Sequence, residues 1–336
     1  MRSGSWSKRR HGLLPEEQNA YQPFQESKKM TTILSPGSAF ATECREVLHI
    51  PTANGHAIGA TLHVPLTETE NRKSKILLLP GWSGPRTGPA ELLVQLASTL
   101  AAHGHVVLRI DLHGRGDSTG RFETCDLDRM IADAETALGW LQKQVNDCAI
   151  QPFPSEGTGT RIVVGGMCSG GNVALGLAAL RPKDLAGVVA LSALPFQPTR
   201  SSDFDRRRRW KSFKHYVVKA LEPSTWARLL KGEINVERVK KNLGTHEKTT
   251  GGERNLKDSV RDIEKELLAW KGRALFVWGG GDEEASPARA HFEKLHAAGF
   301  ALTTRLETIT GANHNFYARA WREELGTLIA SFCSSA

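Results

Sequence analysis

The sequence predicts an α/β protein: a mainly parallel, twisted sheet flanked by helices, with a helical cap inserted late in the chain. Three observations carry this. Apolar runs of strand length alternate with helix-period segments over roughly 270 residues. Glycine- and proline-bearing turns separate them. The alternation breaks once, over residues 194–272, where aromatic and basic residues mix. A strand–helix–strand alternation requires right-handed crossovers, and these leave a parallel sheet covered on both faces.

Residues 46–50 and 57–64 alternate around Asn54-Gly55, which predicts two strands joined by a tight turn. Lys75-Ile-Leu-Leu-Leu-Pro80 reads as a fully buried strand, and 89–103 as a helix stopped before Gly104. A strand over 105–110 leads into Asp111-Leu-His-Gly-Arg-Gly-Asp-Ser-Thr-Gly120, a loop of turn formers. Residues 127–145 are helical by period, 161–165 a strand, 171–180 a helix and 185–193 a strand. After the interruption come a strand over 274–278, a helix over 287–297, a strand over 301–308 and a terminal helix over 317–332. Core therefore spans 44–193 and 273–336. The insertion, 194–272, holds helical stretches at 211–221 and 224–230 and a polar loop near 243–256. It reads as a cap over the carboxyl edge of the sheet, where open α/β sheets bind ligands.

Residues 1–43 read as a disordered tail, polar and without apolar periodicity over 1–25, and Met30 is a candidate alternative start. The basic N-terminus lacks the apolar core of a signal peptide, and no apolar run is long enough to span a bilayer. The five cysteines, Cys44, Cys125, Cys148, Cys168 and Cys333, are scattered and form no CxxC pair. That pattern excludes a disulfide framework and a structural zinc site, and it predicts a reducing, cytoplasmic setting. The net charge of +8 is local: residues 201–245 hold twelve Lys/Arg against five Asp/Glu.

Val163-Val-Gly-Gly-Met-Cys-Ser-Gly-Gly171 ends a strand and opens a helix. A side chain at the apex of so sharp a turn needs tiny residues two before and two after it. Cys168 at the apex is flanked by Gly166 and Gly170, whereas Ser169 would be flanked by Met167. The spacing selects Cys168 as nucleophile, and its place at a helix N-terminus favours the thiolate. A glycine-rich strand-to-helix turn also serves nucleotide binding, yet no G-x-G-x-x-G or Walker lysine is present.

A triad on such a sheet runs nucleophile, acid, histidine along the chain. Trp278-Gly-Gly-Gly-Asp-Glu-Glu284 follows a strand, which makes Asp282 the candidate acid, with Glu283 and Glu284 as alternatives. An exposed acidic loop or a helix cap before Pro287 is the plainer reading. Thr310-Gly-Ala-Asn-His-Asn-Phe316 follows the last strand and supplies His314 as candidate base. The oxyanion formed on carbonyl attack needs N–H donors, and the candidates are the N–H groups of Ser169 and Trp82. Trp82 follows Gly81 in the loop after the strand at 75–80; as a side chain it reads equally as a pocket wall.

These residues together resemble the α/β-hydrolase superfamily over roughly residues 46–335. Asp111-Leu-His-Gly-Arg-Gly-Asp-Ser resembles the D-x-x-G-x-G-x-S loop of those enzymes, and Gly-Met-Cys-Ser-Gly-Gly171 is similar to the cysteine elbow of dienelactone hydrolases. Gly84-Pro-Arg-Thr-Gly-Pro89, Trp226-Ala-Arg-Leu-Leu-Lys-Gly-Glu-Ile-Asn235 and Gly-Ala-Asn-His-Asn-Phe316 also resemble hydrolases that accompany exosortase systems. Many of those carry G-x-C-D-A at the elbow, where this chain has Cys168-Ser-Gly. The resemblance implies covalent cleavage of a carboxylic ester or thioester with no cofactor or metal. An acyltransferase, or a hydrolase fold used only for binding, are the alternatives.

The run Arg206, Arg207, Arg208, Arg209, followed by Trp210 and Lys211, reads first as a solvated cap surface. The sharper reading is attraction of an anionic acyl substrate. No nucleic-acid motif accompanies it. The expected partner is therefore a small-molecule acyl ester or thioester.

Overall fold

The computed structural model describes residues 30–33, 43–66, 74–143, 162–196 and 256–334. Nine strands of these residues form one sheet: β1 (Met30–Ile33), β2 (Glu43–Pro51), β3 (Ala57–Pro65), β4 (Lys75–Leu79), β5 (Val106–Ile110), β6 (Ile162–Met167), β7 (Leu185–Leu191), β8 (Arg273–Gly279) and β9 (Thr303–Ile309). Their order is β1-β2-β3-β5-β4-β6-β7-β8-β9. The six strands from β5 to β9 in that order pair in parallel. The first three are joined antiparallel, and β3 meets β5 antiparallel. The hairpin expected around Asn54-Gly55 is present, with Pro51 opposite Ala57 and Gly55 in left-handed backbone.

Six helices accompany the sheet: α1 (Leu92–Ala102), α2 (Leu127–Lys143), α3 (Ser169–Leu180), α4 (Ile263–Leu267), α5 (Ala285–Ala297) and α6 (Arg319–Ser334). The central strands β4 to β8 are buried on both faces, so alternate residues feed two separate cores. Leu77, Leu108, Val164, Val188 and Phe276 face the layer of α2, α3, α4 and α5. Ile76, Val107, Val163, Val189 and Leu275 face α1 and α6. A period of two along each strand thus produces a three-layer protein.

Within the segment expected as tail, 1–43, residues 30–33 pair with β2, Met30 opposite Glu46. Most of the expected cap, including 206–209 and both of its helical stretches, lies outside the described residues. Its last part packs on the core: Ile263 and Leu267 of α4 are buried, and the Trp270 indole N–H donates to Leu185 O at 3.2 Å.

A chain of buried polar groups runs from the antiparallel strands toward the carboxyl edge. Arg109 Nε donates to His63 Nε2 at 2.9 Å, and His63 Nδ1 lies 2.7 Å from Glu43 Oε2. Arg109 can only donate, so His63 accepts through Nε2 and gives its Nδ1 proton to Glu43. Burial pushes the His63 imidazole down, in keeping with a neutral ring. Arg109 also donates through Nη1 to Arg86 O at 2.7 Å, and the Arg86 guanidinium pairs with Asp111 and Asp117. Arg86 belongs to the loop between β4 and α1, so this network anchors that loop to the sheet.

Burial pushes the Glu43 carboxyl up, but His63 and Arg45 outweigh it and hold it at about 2. A carboxylate held low stabilises the fold above its ordinary value of 4.5 and loses that contribution as pH falls toward about 2. Glu43→Gln is expected to cost about 2–3 kcal/mol at neutral pH. Urea unfolding measured against pH should show the acid decline in the wild type and a flatter one in the variant. Curves that run parallel would contradict this assignment.

Candidate active site

The carboxyl ends of β4, β6, β7, β8 and β9 lie side by side, so the loops that follow them converge. Cys168 occupies the step from β6 to α3 with φ 54° and ψ −119°, a region that non-glycine residues rarely enter. A Cβ on Gly166 would fall closer than 3.0 Å to Gly170 O and Gly171 N. A Cβ on Gly170 would fall equally close to Pro80 O and Leu79 O. Both flanks of the apex are therefore closed to any side chain, as the spacing in the sequence requires. Ser169 is the first residue of α3, and Met167 is buried in the core. The apex is Cys168.

The loops after β8 and β9 meet backbone to backbone. Gly280 N donates to Ile309 O and Gly281 N to Ala312 O, both at 2.8 Å. A Cβ on Gly279 would collide with Ala312 O and Asn313 O, which explains why glycine stands there. That approach carries Asp282 to His314, where Oδ2 lies 2.7 Å from Nδ1. The other carboxylate oxygen accepts the Glu284 N–H at 3.1 Å. Of the three acidic residues considered, Asp282 is the one that meets the imidazole. Ser192, itself at φ 47°, donates its hydroxyl to His314 O at 2.8 Å and fixes the loop from below.

On its other side His314 acts on Cys168: hydrogen bonding and charge between them lower the thiol and raise the imidazole. Hydrogen bonds to Asp282 and then to Cys168 raise the imidazole to about 10, against the opposing effect of burial. Burial pushes the Cys168 thiol up, but His314 and the N–H and hydroxyl of Ser169 more than reverse it and leave it lowered. The two shifts agree in sense: both favour thiolate paired with imidazolium. The other described cysteines go the opposite way. Burial raises Cys44 and Cys125, and it pushes Cys333 up to about 12. Among the described cysteines Cys168 is the one that is not buried; Cys148 lies outside the described residues.

The loop after β4 lies against this apex. A Cβ on Gly81 would meet Met167 O at 3.5 Å and Cys168 Cβ at 3.7 Å, which are ordinary contacts. Glycine is thus not forced there by the protein itself. Such a Cβ would stand beside the thiol. No described residue accepts the Trp82 N–H. The Trp82 carbonyl accepts from Arg115 Nε, whose guanidinium lies 5.3 Å from the centroid of the indole. Lys257 Nζ lies 5.5 Å from the same ring.

Sequence reasoning did not single out Ser192, Arg115 or Lys257. The first two hold backbone carbonyls of loops distant in the chain, and only the fold brings them there. Among the described residues no cluster of His, Cys, Asp and Glu could hold a metal ion, and no helix is long and apolar enough to cross a membrane.

Residues 76–325 match the model of the α/β-hydrolase family. No curated protein sequence matches the chain significantly. Among solved structures, Est1E from Butyrivibrio proteoclasticus with ferulic acid bound is similar at 20% identity and a TM-score of 0.55, over 85% of this chain and 97% of that one. A dienelactone hydrolase from Anabaena variabilis is similar at 15% identity and a TM-score of 0.54, over 86% and 96%. An esterase of Pyrococcus furiosus is similar at 17% identity and a TM-score of 0.57, over 87% and 91%. With a family model matching most of its length and the sheet order, strained cysteine turn and loop convergence above, the chain belongs to the α/β-hydrolase family.

Proposed function

We propose that this protein hydrolyses a carboxylic ester or thioester through an acyl-cysteine intermediate on Cys168. The observation that carries the reading is the strained apex at Cys168 together with the His314–Asp282 hydrogen bond, the thiol and imidazole ionisations being shifted by each other toward an ion pair. Esterases and a dienelactone hydrolase of the same fold lend it support.

The thiolate attacks the carbonyl carbon, forming a C–S bond while the C=O electron pair moves to oxygen. The N–H groups of Ser169 and Trp82 receive that oxyanion. Its collapse breaks the bond to the leaving group, which takes a proton from the His314 imidazolium. Neutral His314, held in its tautomer by Asp282, then deprotonates water for attack on the acyl-cysteine. The thiolate departs, and the imidazolium is restored. A thiol nucleophile has to stay reduced, which suits a cytoplasmic setting.

The substrate's charge follows from the neighbours of Trp82. Lys257 lies against the ring of Trp82, whereas buried Arg115 is committed to the Trp82 and His113 carbonyls, so it is Lys257 that would favour an acyl group bearing a carboxylate or phosphate.

Three measurements test this. Cys168→Ala should abolish turnover of p-nitrophenyl esters and acyl-thioesters and the acyl adduct seen by intact mass. Ser169→Ala keeps the backbone N–H and should lose at most about tenfold, the worth of one hydrogen bond. An adduct that survives in Cys168→Ala contradicts the assignment.

The pH dependence has two limbs. Activity should rise through a thiol pKa below the ordinary 9.0 and fall as the imidazolium loses its proton near about 10. In His314→Ala the thiol keeps only the smaller help of Ser169 against burial. Its alkylation by iodoacetamide at pH 6 should then drop by at least about tenfold. An unchanged rate would remove the ion pair.

Finally, kcat/KM for a hydrogen-succinate ester should decline with added salt and in Lys257→Ala, while a neutral ester of equal length responds to neither. Equal responses of the two esters would remove the anionic preference.

A further inference from the structure

The loop that carries His314 ends on a strained residue. Phe316 is fully buried, with φ 51°, and its carbonyl accepts from Arg322 Nε at 2.9 Å. Arg322, in the first turn of α6, also donates through Nη2 to Tyr317 O at 2.6 Å. Its remaining nitrogen, Nη1, reaches Ala90 O at 3.1 Å and Gln95 Oε1 at 3.2 Å. Ala90 is strained in the same sense, with φ 46° and ψ 43°, and Glu91 follows at φ 62°.

Two left-handed, non-glycine residues from distant parts of the chain therefore present their carbonyls to one guanidinium. Each such conformation costs on the order of 1–3 kcal/mol and persists only where its surroundings enforce it. In both places the donor is the planar fork of Arg322, and all four acceptors are neutral oxygens. A planar fork fixes direction as well as distance, which a lysine ammonium does not.

We infer that Arg322 is a positioning residue for His314, locking the loop two residues beyond the imidazole against the strained entry to α1. The His314 backbone is then held on both sides. Gly281 N grips Ala312 O and Ser192 grips His314 O, while Arg322 grips Phe316 O and Tyr317 O. Losing the last grip lets Phe316 relax, and the imidazole moves away from sulfur and carboxylate without any change in the residues that meet substrate.

The inference rests on the proposed pairing of Cys168 with His314, and the test separates the two. In Arg322→Ala, kcat for a p-nitrophenyl ester should fall by about 10²-fold, the cost of roughly 1 Å of misplacement, with KM little changed. The His314 ring, followed by NMR titration, should lose part of its elevation, and the pH curve for Cys168 alkylation should move up. Methylguanidinium should restore part of both. Arg322→Lys keeps the charge and serves if the alanine variant does not fold; it should show the same shifts, weaker.

A variant that only melts earlier, with wild-type titration and alkylation curves, makes Arg322 a purely structural contact and overturns the inference alone. A wild-type His314 titrating near the ordinary 6.5 would overturn the pairing and the inference with it.

Discussion

The turn at Cys168 leaves almost no freedom to the residues around it. A chain that leaves a central parallel strand and enters a helix within one residue must put that residue in left-handed backbone. The peptide planes on either side then close to a separation that admits no Cβ. Gly166 faces Gly170, and Gly170 faces the end of β4. The loop after β4 is drawn against the apex by that second approach, so the placement of Gly81 beside Cys168 follows from the bend. What the bend gains is exposure: the other described cysteines are buried, while the apex projects at the carboxyl edge.

The second pillar is a contact of the same kind, backbone on backbone, between the loops after β8 and β9. Asp282 and His314 are 32 residues apart, and an ion pair with a nearly buried carboxylate must be placed accurately to offset the cost of desolvation. Here the pair does not need to hold the loops, because the loops already hold the pair. Gly279, Gly280 and Gly281 lie where side chains would strike or crowd the facing strand exit, and hydrogen bonds at 2.8 Å close the gap. The carboxylate can then spend its bonding on the orientation of the ring.

Much of this was legible in the sequence because the constraints involved are local. Strand and helix periods gave the element order, and the choice of Cys168 over Ser169 needed only the positions of two glycines. Asp282 is not set apart from Glu283 and Glu284 by any local pattern, since the difference depends on how closely residues 309–313 approach. The run Gly279-Gly280-Gly281 is, in the fold, a tight contact with the exit of the neighbouring strand. The short strand at 30–33 escaped notice because four residues of mixed polarity at a sheet edge carry no period. Arg115, Ser192 and Arg322 escaped for another reason. Each acts on a carbonyl of a distant segment, and a backbone carbonyl leaves no mark in the sequence.

The electrostatics of the site bear on what kind of bond the proposed chemistry would break. An imidazole raised by Asp282 and Cys168, beside a thiol that it lowers, would favour proton transfer from sulfur before a substrate arrives. In the proposed reaction the nucleophile would then be preformed, at the expense of a weak general acid. A weak general acid suffices only where the leaving group is stable enough to depart with little help from a proton. Thiolates and phenolates meet that condition, with pKa values of about 8.5 and 10, whereas a simple alkoxide lies far above it. On these terms thioesters and aryl esters suit the site better than alkyl esters. The preference arises from the same charge pair that makes the sulfur reactive: a histidine poised nearer neutrality would serve alkoxides better, but it would leave more of the thiol protonated.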